Sequence, residues 1–195
     1  MVIGYHLIFT AYGWWLPNDP RGSTSQLIRH DVIAQLGELH HGRKRIQPSS
    51  AEIRAFYERA KDSLKHELRT FDEHHRALIA CGFARAIRLQ RYTCYACAVM
   101  PDHVHVLIRK HRDKAEEMIA HLQENSRAEL LTCSDYPKGH PVWGGPGWKV
   151  YLETADDMER TVRYIERNPL PYGLPLQQHS FVTAYDGWDL SGAAR

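Results

Sequence analysis

A turn between two β-prone runs constrains this chain more than any other feature. Tyr92 to Val99 is rich in Tyr, Thr and Val, Met100-Pro-Asp102 reads as a turn, and His103-Val-His-Val-Leu-Ile108 is a second strand-like run. The pattern predicts an antiparallel hairpin. Side chains alternate along a strand, so His103, His105 and Leu107 fall on one face and Val104, Val106 and Ile108 on the other. Two imidazoles on one face of a strand can bind a metal. They are equally the mark of an exposed or hydrogen-bonded histidine pair.

A helix-like run from about Ala155 bears on that choice. Successive helical residues turn by about 100°, so Met158, Val162 and Ile165 make one apolar stripe, while Tyr164 and Asn168 lie one turn apart off the stripe. Tyr164 is therefore expected at the surface despite its bulk. Asn168 offers an amide oxygen beside the phenol, and Pro169 ends the helix.

The remaining segments predict an α+β chain. Gly4 to Ala11 reads as a first strand in the middle of a sheet, and Gln26 to Leu39 as a short helix. Ser49-Ser-Ala-Glu52 is a capping box opening a helix to Leu68, and a second helix spans about Asp72 to Gln90. Asp113 is expected to cap a helix through Leu131. Ser134 to Gly147 reads as a loop, Trp148 to Glu153 as a strand, and Thr154 as the cap of the tyrosine helix. This order suits an antiparallel sheet with helices packed on one face, in one domain over residues 1–195.

Composition sets outer limits. The chain has 195 residues, 43% of them hydrophobic and a quarter charged, which describes an ordinary globular protein. No apolar run approaches the roughly 20 residues needed to span a bilayer, and the start lacks a signal-peptide pattern, so the cytoplasm is the expected compartment. A net charge of +2 and a pI near 8.3 confine any phosphate-binding surface to local patches. Four cysteines in such a chain are expected as free thiols. Cys94 and Cys97, three apart in a strand, should face opposite ways. Trp14 and Trp15 stand in a loop with Arg21, where they either cover the fold or stack on unpaired bases. Arg43, Lys44, Arg45 and Arg109, Lys110, Arg112 are two basic stretches able to meet phosphate.

Taken together, Val99-Met-Pro-Asp-His-Val-His-Val-Leu-Ile108, Val142-Trp143, Val150-Tyr151 and Arg163-Tyr-Ile-Glu-Arg-Asn-Pro-Leu170 resemble the HUH single-tyrosine transposases, most closely their REP-associated branch, over about residues 70 to 175. The resemblance implies a ferredoxin-like sheet; residues 12–69 depart from the family pattern, being longer than its compact core requires, and read as an N-terminal loop and helix elaboration. It also implies metal-dependent cleavage and transfer of single-stranded DNA near hairpins, as in DNA transposition, through a bond to Tyr164. His103, His105 and Asn168 would be ligands to magnesium or manganese, and the protein a monomer or homodimer. Two other readings stay open. One is a histidine-triad-like nucleotide hydrolase, although Leu107 stands where a third histidine belongs. The other is an inactive relative that only binds nucleic acid.

Overall fold

The structure, a computed structural model, describes residues 1–23, 31–42 and 44–188. Arg43 and the first five residues of the helix expected over Gln26 to Leu39 fall outside these residues. The chain divides into two compact units, one of Met1–Ala11 with Thr70–Arg195 and one of Tyr12–Arg69. Residues 12–69 thus pack around a core of their own.

The first unit is built on four antiparallel strands in the order β2-β3-β1-β4. These are β1 (Gly4–Thr10), β2 (Cys94–Val99), β3 (His103–Arg109) and β4 (Trp148–Leu152). The expected hairpin is β2–β3, closed where the Met100 N–H donates to the His103 carbonyl at 2.8 Å. β1 is central, with β3 on one side and β4 on the other. Among the described residues five α-helices accompany the strands: α1 (Asp31–Ala34) and α2 (Ser50–Lys61) in the second unit, and α3 (Glu73–Gln90), α4 (Ala115–Cys133) and α5 (Ala155–Arg167) in the first.

The helices of the first unit do not all share one face. α3 and α4 cover the face of Leu7, Phe9, Val104 and Val106, where Phe9 meets Phe83 edge-on at 5.8 Å. α5 covers the opposite, histidine-bearing face. Its Met158 and Ile165 are fully buried in a cluster with Leu107, Ala96, Ala98 and Leu152. The expectation of a single covered face fails because that second face is itself apolar: Leu107 and the alanines of β2 expose too much hydrocarbon to be left in water. The apolar stripe of α5 supplies the matching surface.

A β-bulge corrects the cysteine reading. The register slips between Cys94 and Ala96, so that Cys94 pairs with Ile108 and Cys97 with Val106. Both thiols therefore point to the α3–α4 face, and both are buried. Burial pushes the Cys94 thiol up to about 12 and Cys97 well above the ordinary thiol range, so both are held protonated and inert.

The outer edge of β2 is covered by the segment after α5. The Gln177 side chain accepts from the Val99 N–H at 2.8 Å and donates to the Val99 carbonyl at 2.9 Å, and the Thr183 N–H donates to the Cys94 carbonyl at 2.8 Å. An exposed edge that would invite strand pairing is closed in this way.

In the second unit, Phe56, Tyr57 and Ala60 of α2 form a core with Trp14, Leu16 and Leu68 against it. The Ser49 capping box is present: the Glu52 N–H reaches Ser49 Oγ at 3.2 Å and the Ser49 N–H reaches Glu52 at 2.8 Å. α2 ends at Lys61 rather than Leu68, because the Ser63 N–H turns back to the Ala60 carbonyl and tightens the last turn. Leu64 and Leu68 keep apolar contacts without being helical; both would lie within 3 Å of a Cβ placed on Gly13. In the first unit, Asp113 does not cap α4. Its carboxylate accepts from the Tyr92 hydroxyl at 2.8 Å, and the helix begins beyond Lys114, whose N–H donates to Glu117.

Gly82 sets the distance between α3 and α4. A Cβ there would lie 2.3 Å from Ser126 Cα and 2.6 Å from its nitrogen, both backbone atoms. Gly82→Ala should therefore cost about 1–3 kcal/mol through forced separation of the helices, despite the gain of about 1 kcal/mol in helix propensity. Urea unfolding measures this, and an equal or higher midpoint would contradict the close packing.

Candidate active site

β3 presents His103 and His105 to the α5 face as the alternation requires, but neither is at the surface. They are 5% and 4% exposed. Because α5 covers them, truncation at either position has a packing cost.

Each imidazole is held through Nδ1. His103 Nδ1 lies 2.6 Å from Asp102 Oδ1, and a carboxylate only accepts, so Nδ1 carries the proton and Nε2 is the nitrogen able to act as a ligand. This is the carboxylate–histidine arrangement that orients metal ligands. His105 Nδ1 lies 2.9 Å from Nε2 of His6 on the neighbouring strand. Burial presses His105 well below the ordinary histidine range, with His103 and His6 adding smaller contributions, and burial alone lowers His6 to about 4. Both rings are neutral near pH 7.

Tyr164 lies beside this group. Its ring meets His105 edge-on at 5.4 Å and His6 at 6.0 Å, and the residue is 46% exposed. The apolar stripe of α5 faces the sheet, which leaves the phenol at the margin of the histidines and open to solvent. Tyr172, in the 3-10 turn Leu170–Tyr172, sits 5.9 Å from the His103 ring. Asn168 caps α5, its N–H donating to the Ile165 carbonyl at 3.1 Å. Its side-chain Oδ1 is buried and has no hydrogen-bond partner, a state that costs about 1–3 kcal/mol unless a ligand satisfies it.

The structure thus gathers His103, His105 and Tyr164, with Asn168 one helical turn beyond the tyrosine. Among the described residues no three His, Cys, Asp or Glu side chains form a metal-binding cluster. The donors on hand are two imidazoles and an amide oxygen, which suit a divalent cation with open positions. Leu107, at the third alternate position, is fully buried hydrocarbon. The histidine-triad reading finds no third imidazole on that strand.

His6 was not singled out from sequence. It reads there as one polar residue in a β-prone run, and only the pairing of β1 with β3 brings it to His105. A polar residue between apolar neighbours in the expected central strand was the available signal.

The basic and aromatic residues are placed differently. Trp14 donates through Nε1 to the Arg69 carbonyl at 2.7 Å and packs on Tyr57 with centroids 4.4 Å apart. The Trp15 N–H donates to the Tyr57 hydroxyl at 2.8 Å, and the Arg21 guanidinium lies 3.7 Å over the Trp15 ring. Arg21 is 12% exposed and paired at 2.8 Å with the fully buried Asp19, which also accepts from Tyr57. Its charge is thus neutralised inside the second unit, and the Trp-Trp loop belongs to that unit's core. Lys44 and Arg45 are exposed, and Arg43 lies outside the described residues. Arg109 stacks 3.7 Å over Trp188, Lys110 is exposed, and Arg112 reaches Asp113 at 3.6 Å. This basic turn begins at the end of β3 opposite His103, about 20 Å away at the rise of a strand.

Comparison with protein-family models gives no match, and no curated protein sequence matches. Two solved structures show a distant likeness. One is a REP-associated tyrosine transposase bound to a REP hairpin, 11% identical over 97% of this chain and 89% of that one, with a TM-score of 0.46. The other is a candidate transposase from Deinococcus radiodurans, 13% identical over 86% of this chain and 91% of that one, with a TM-score of 0.41. No described helix is long and apolar enough to cross a membrane.

Burial of His6 has a consequence for stability. Above the ordinary histidine value of 6.5 it is neutral whether folded or unfolded; between 6.5 and about 4 only the unfolded chain takes up the proton. Stability should therefore fall as pH drops through this window, by up to about 1.4 kcal/mol per pH unit from this one group. His105 adds a loss of the same sign. Urea unfolding between pH 7 and 4 should show a shallower loss for His6→Gln than for the unsubstituted chain; equal slopes would contradict a buried neutral His6.

Proposed function

We propose that this chain cleaves single-stranded DNA through Tyr164 and transfers the cut strand, with His103, His105 and Asn168 holding a divalent cation, magnesium or manganese. One observation carries the reading. A half-exposed tyrosine stands edge-on to buried neutral histidines, and the next turn of its helix ends in an amide oxygen with no internal partner.

The chemistry needs an oxygen nucleophile that a strand can reach. In the first step the Tyr164 oxygen bonds to phosphorus as one ester P–O bond of the backbone breaks; the phenolic proton is lost and the departing sugar oxygen gains one. The phosphotyrosine ester conserves the bond, so a hydroxyl at another strand end can attack it and restore the phenol without an external energy source. The cation's part is to polarise a phosphoryl oxygen. Asp102 fixes the proton of His103 on Nδ1, and the α5 stripe anchors the helix so that Tyr164 stays at the mouth of the site. An unpaired strand is the expected substrate, and the resemblance in sequence adds a neighbouring hairpin. The reading includes DNA transposition, a cytoplasmic site of action, and a monomer or homodimer. Lys44, Arg45, Lys110 and Arg112 present exposed cationic side chains for phosphate contacts.

End-labelled single-stranded DNA incubated with the protein and manganese should give a covalent adduct on denaturing gels. Tyr164→Phe should abolish the adduct while retaining DNA binding, and EDTA should suppress it by at least about a hundredfold, the scale of removing one electrostatic contributor to a transition state. Because the histidines are buried, His105→Gln is a better probe than alanine and should also lose the adduct. Adduct formation by the Phe variant would move the nucleophile elsewhere, and unchanged activity in EDTA would remove the metal from the mechanism.

A further inference from the structure

One buried ring has no part in the proposed chemistry. His6 lies on β1 opposite Leu107, two register positions from the Ile8–His105 pair and on the same face. Its ring nevertheless leans along the strand to His105, with centroids 5.0 Å apart, and its Nε2 sits 2.9 Å from His105 Nδ1. It is 7% exposed. A histidine on a sheet face under a helix could have been a leucine, like the residue it pairs with, at no loss to packing.

We propose that His6 is a positioning residue for His105: it accepts a hydrogen bond from the His105 Nδ1–H, so that Nε2 carries that ring's only lone pair. The inference rests on the reading of His105 as a metal ligand. Two neutral imidazoles facing each other nitrogen to nitrogen hold one proton between them. If His6 supplied it, His105 would carry its own proton on Nε2 and could not ligate there. With the proton on His105 Nδ1, both histidines of β3 take the same tautomer, His103 through Asp102 and His105 through His6. The two partners differ in charge. A carboxylate against His103 and a neutral ring against His105 fix two tautomers while adding only one negative charge to the buried group. That balance retains the attraction for a cation without a second buried anion to desolvate.

The test uses the full chain and two variants at His6, with His105→Gln serving only to assign the His105 signal. His6→Phe keeps a planar ring but no hydrogen bond, and His6→Gln places an amide oxygen near the position of the imidazole Nε2. In metal-free protein, long-range imidazole nitrogen–proton correlations, with His105 assigned by its loss in His105→Gln, should show one His105 tautomer protonated on Nδ1. His6→Phe should give a mixture or the opposite tautomer, and His6→Gln should restore the original. Manganese binding followed by electron paramagnetic resonance should weaken roughly 10- to 100-fold in His6→Phe and only a few-fold in His6→Gln, the scale of losing a residue that orients a metal ligand. Thermal melts identify any variant that fails to fold, and the Gln variant then carries the comparison. An unchanged His105 tautomer in a folded His6→Phe, an Nε2-protonated His105 in the unsubstituted chain, or equal manganese affinity in all three proteins would overturn the proposal. Absence of manganese binding by the unsubstituted protein would instead contradict the metal-dependent reading, and the tautomer measurement would still decide the role of His6.

Discussion

One hydrogen bond between neighbouring strands, His6 to His105, makes the rest of the site possible. Two histidines buried on a sheet face are costly unless they are neutral and satisfied, and each meets one of its needs through the other. The contact requires β1 beside β3 in a fixed antiparallel register, because a slip of one residue would turn His6 to the α3–α4 face. It also requires a cover that excludes water. The α5 stripe provides that cover through Met158 and Ile165, and the same helix carries Tyr164. Register, burial and the placement of the phenol therefore depend on one another.

The two faces of the sheet divide the work. The α3–α4 face is apolar and closely packed, down to the contact of Gly82 with the Ser126 backbone. The α5 face combines a hydrocarbon cluster around Leu107 with a polar group, His6 opposite Leu107 and His105 and His103 nearer the β2–β3 turn. The cluster at one end anchors the helix, and the last turn at the other end brings Asn168 and Pro169. A short helix with a rigid attachment and a polar end can hold a reactive side chain in place without burying it. The segment that follows closes the β2 edge through Gln177.

Much of this was legible in the sequence where one residue's neighbours decide its place. The β2–β3 hairpin, the caps at Ser49 and Thr154 and the stripe of Met158, Val162 and Ile165 follow from local periodicity and hydrogen-bonding capacity, and the structure contains all of them. What was not legible depends on partners far along the chain. The bulge at Tyr95 puts Cys94 and Cys97 on one face, because β2 is held by β3 rather than by its own alternation. Asp113 leaves the helix cap for Tyr92, 21 residues away, and Arg21 is drawn inward where Tyr57, 36 residues on, accepts from its guanidinium. His6 lies 99 residues from its partner, so no window along the sequence could pair them. The second covered face was missed for the same reason: an apolar strand surface says that it must be covered, not which helix covers it.

The central claim is that the phenol of Tyr164 forms the bond to DNA. It is tested most directly by mass spectrometry of the protein after reaction with a short single-stranded oligonucleotide, nuclease trimming and digestion with trypsin. Cleavage after Arg163 and Arg167 isolates Tyr164 in a four-residue peptide. The expected result is that this peptide carries the mass of a phosphate-linked nucleotide, with fragmentation locating it on the tyrosine. A nucleotide mass on any other peptide, or DNA cut without any modified peptide, would contradict a tyrosine-linked mechanism.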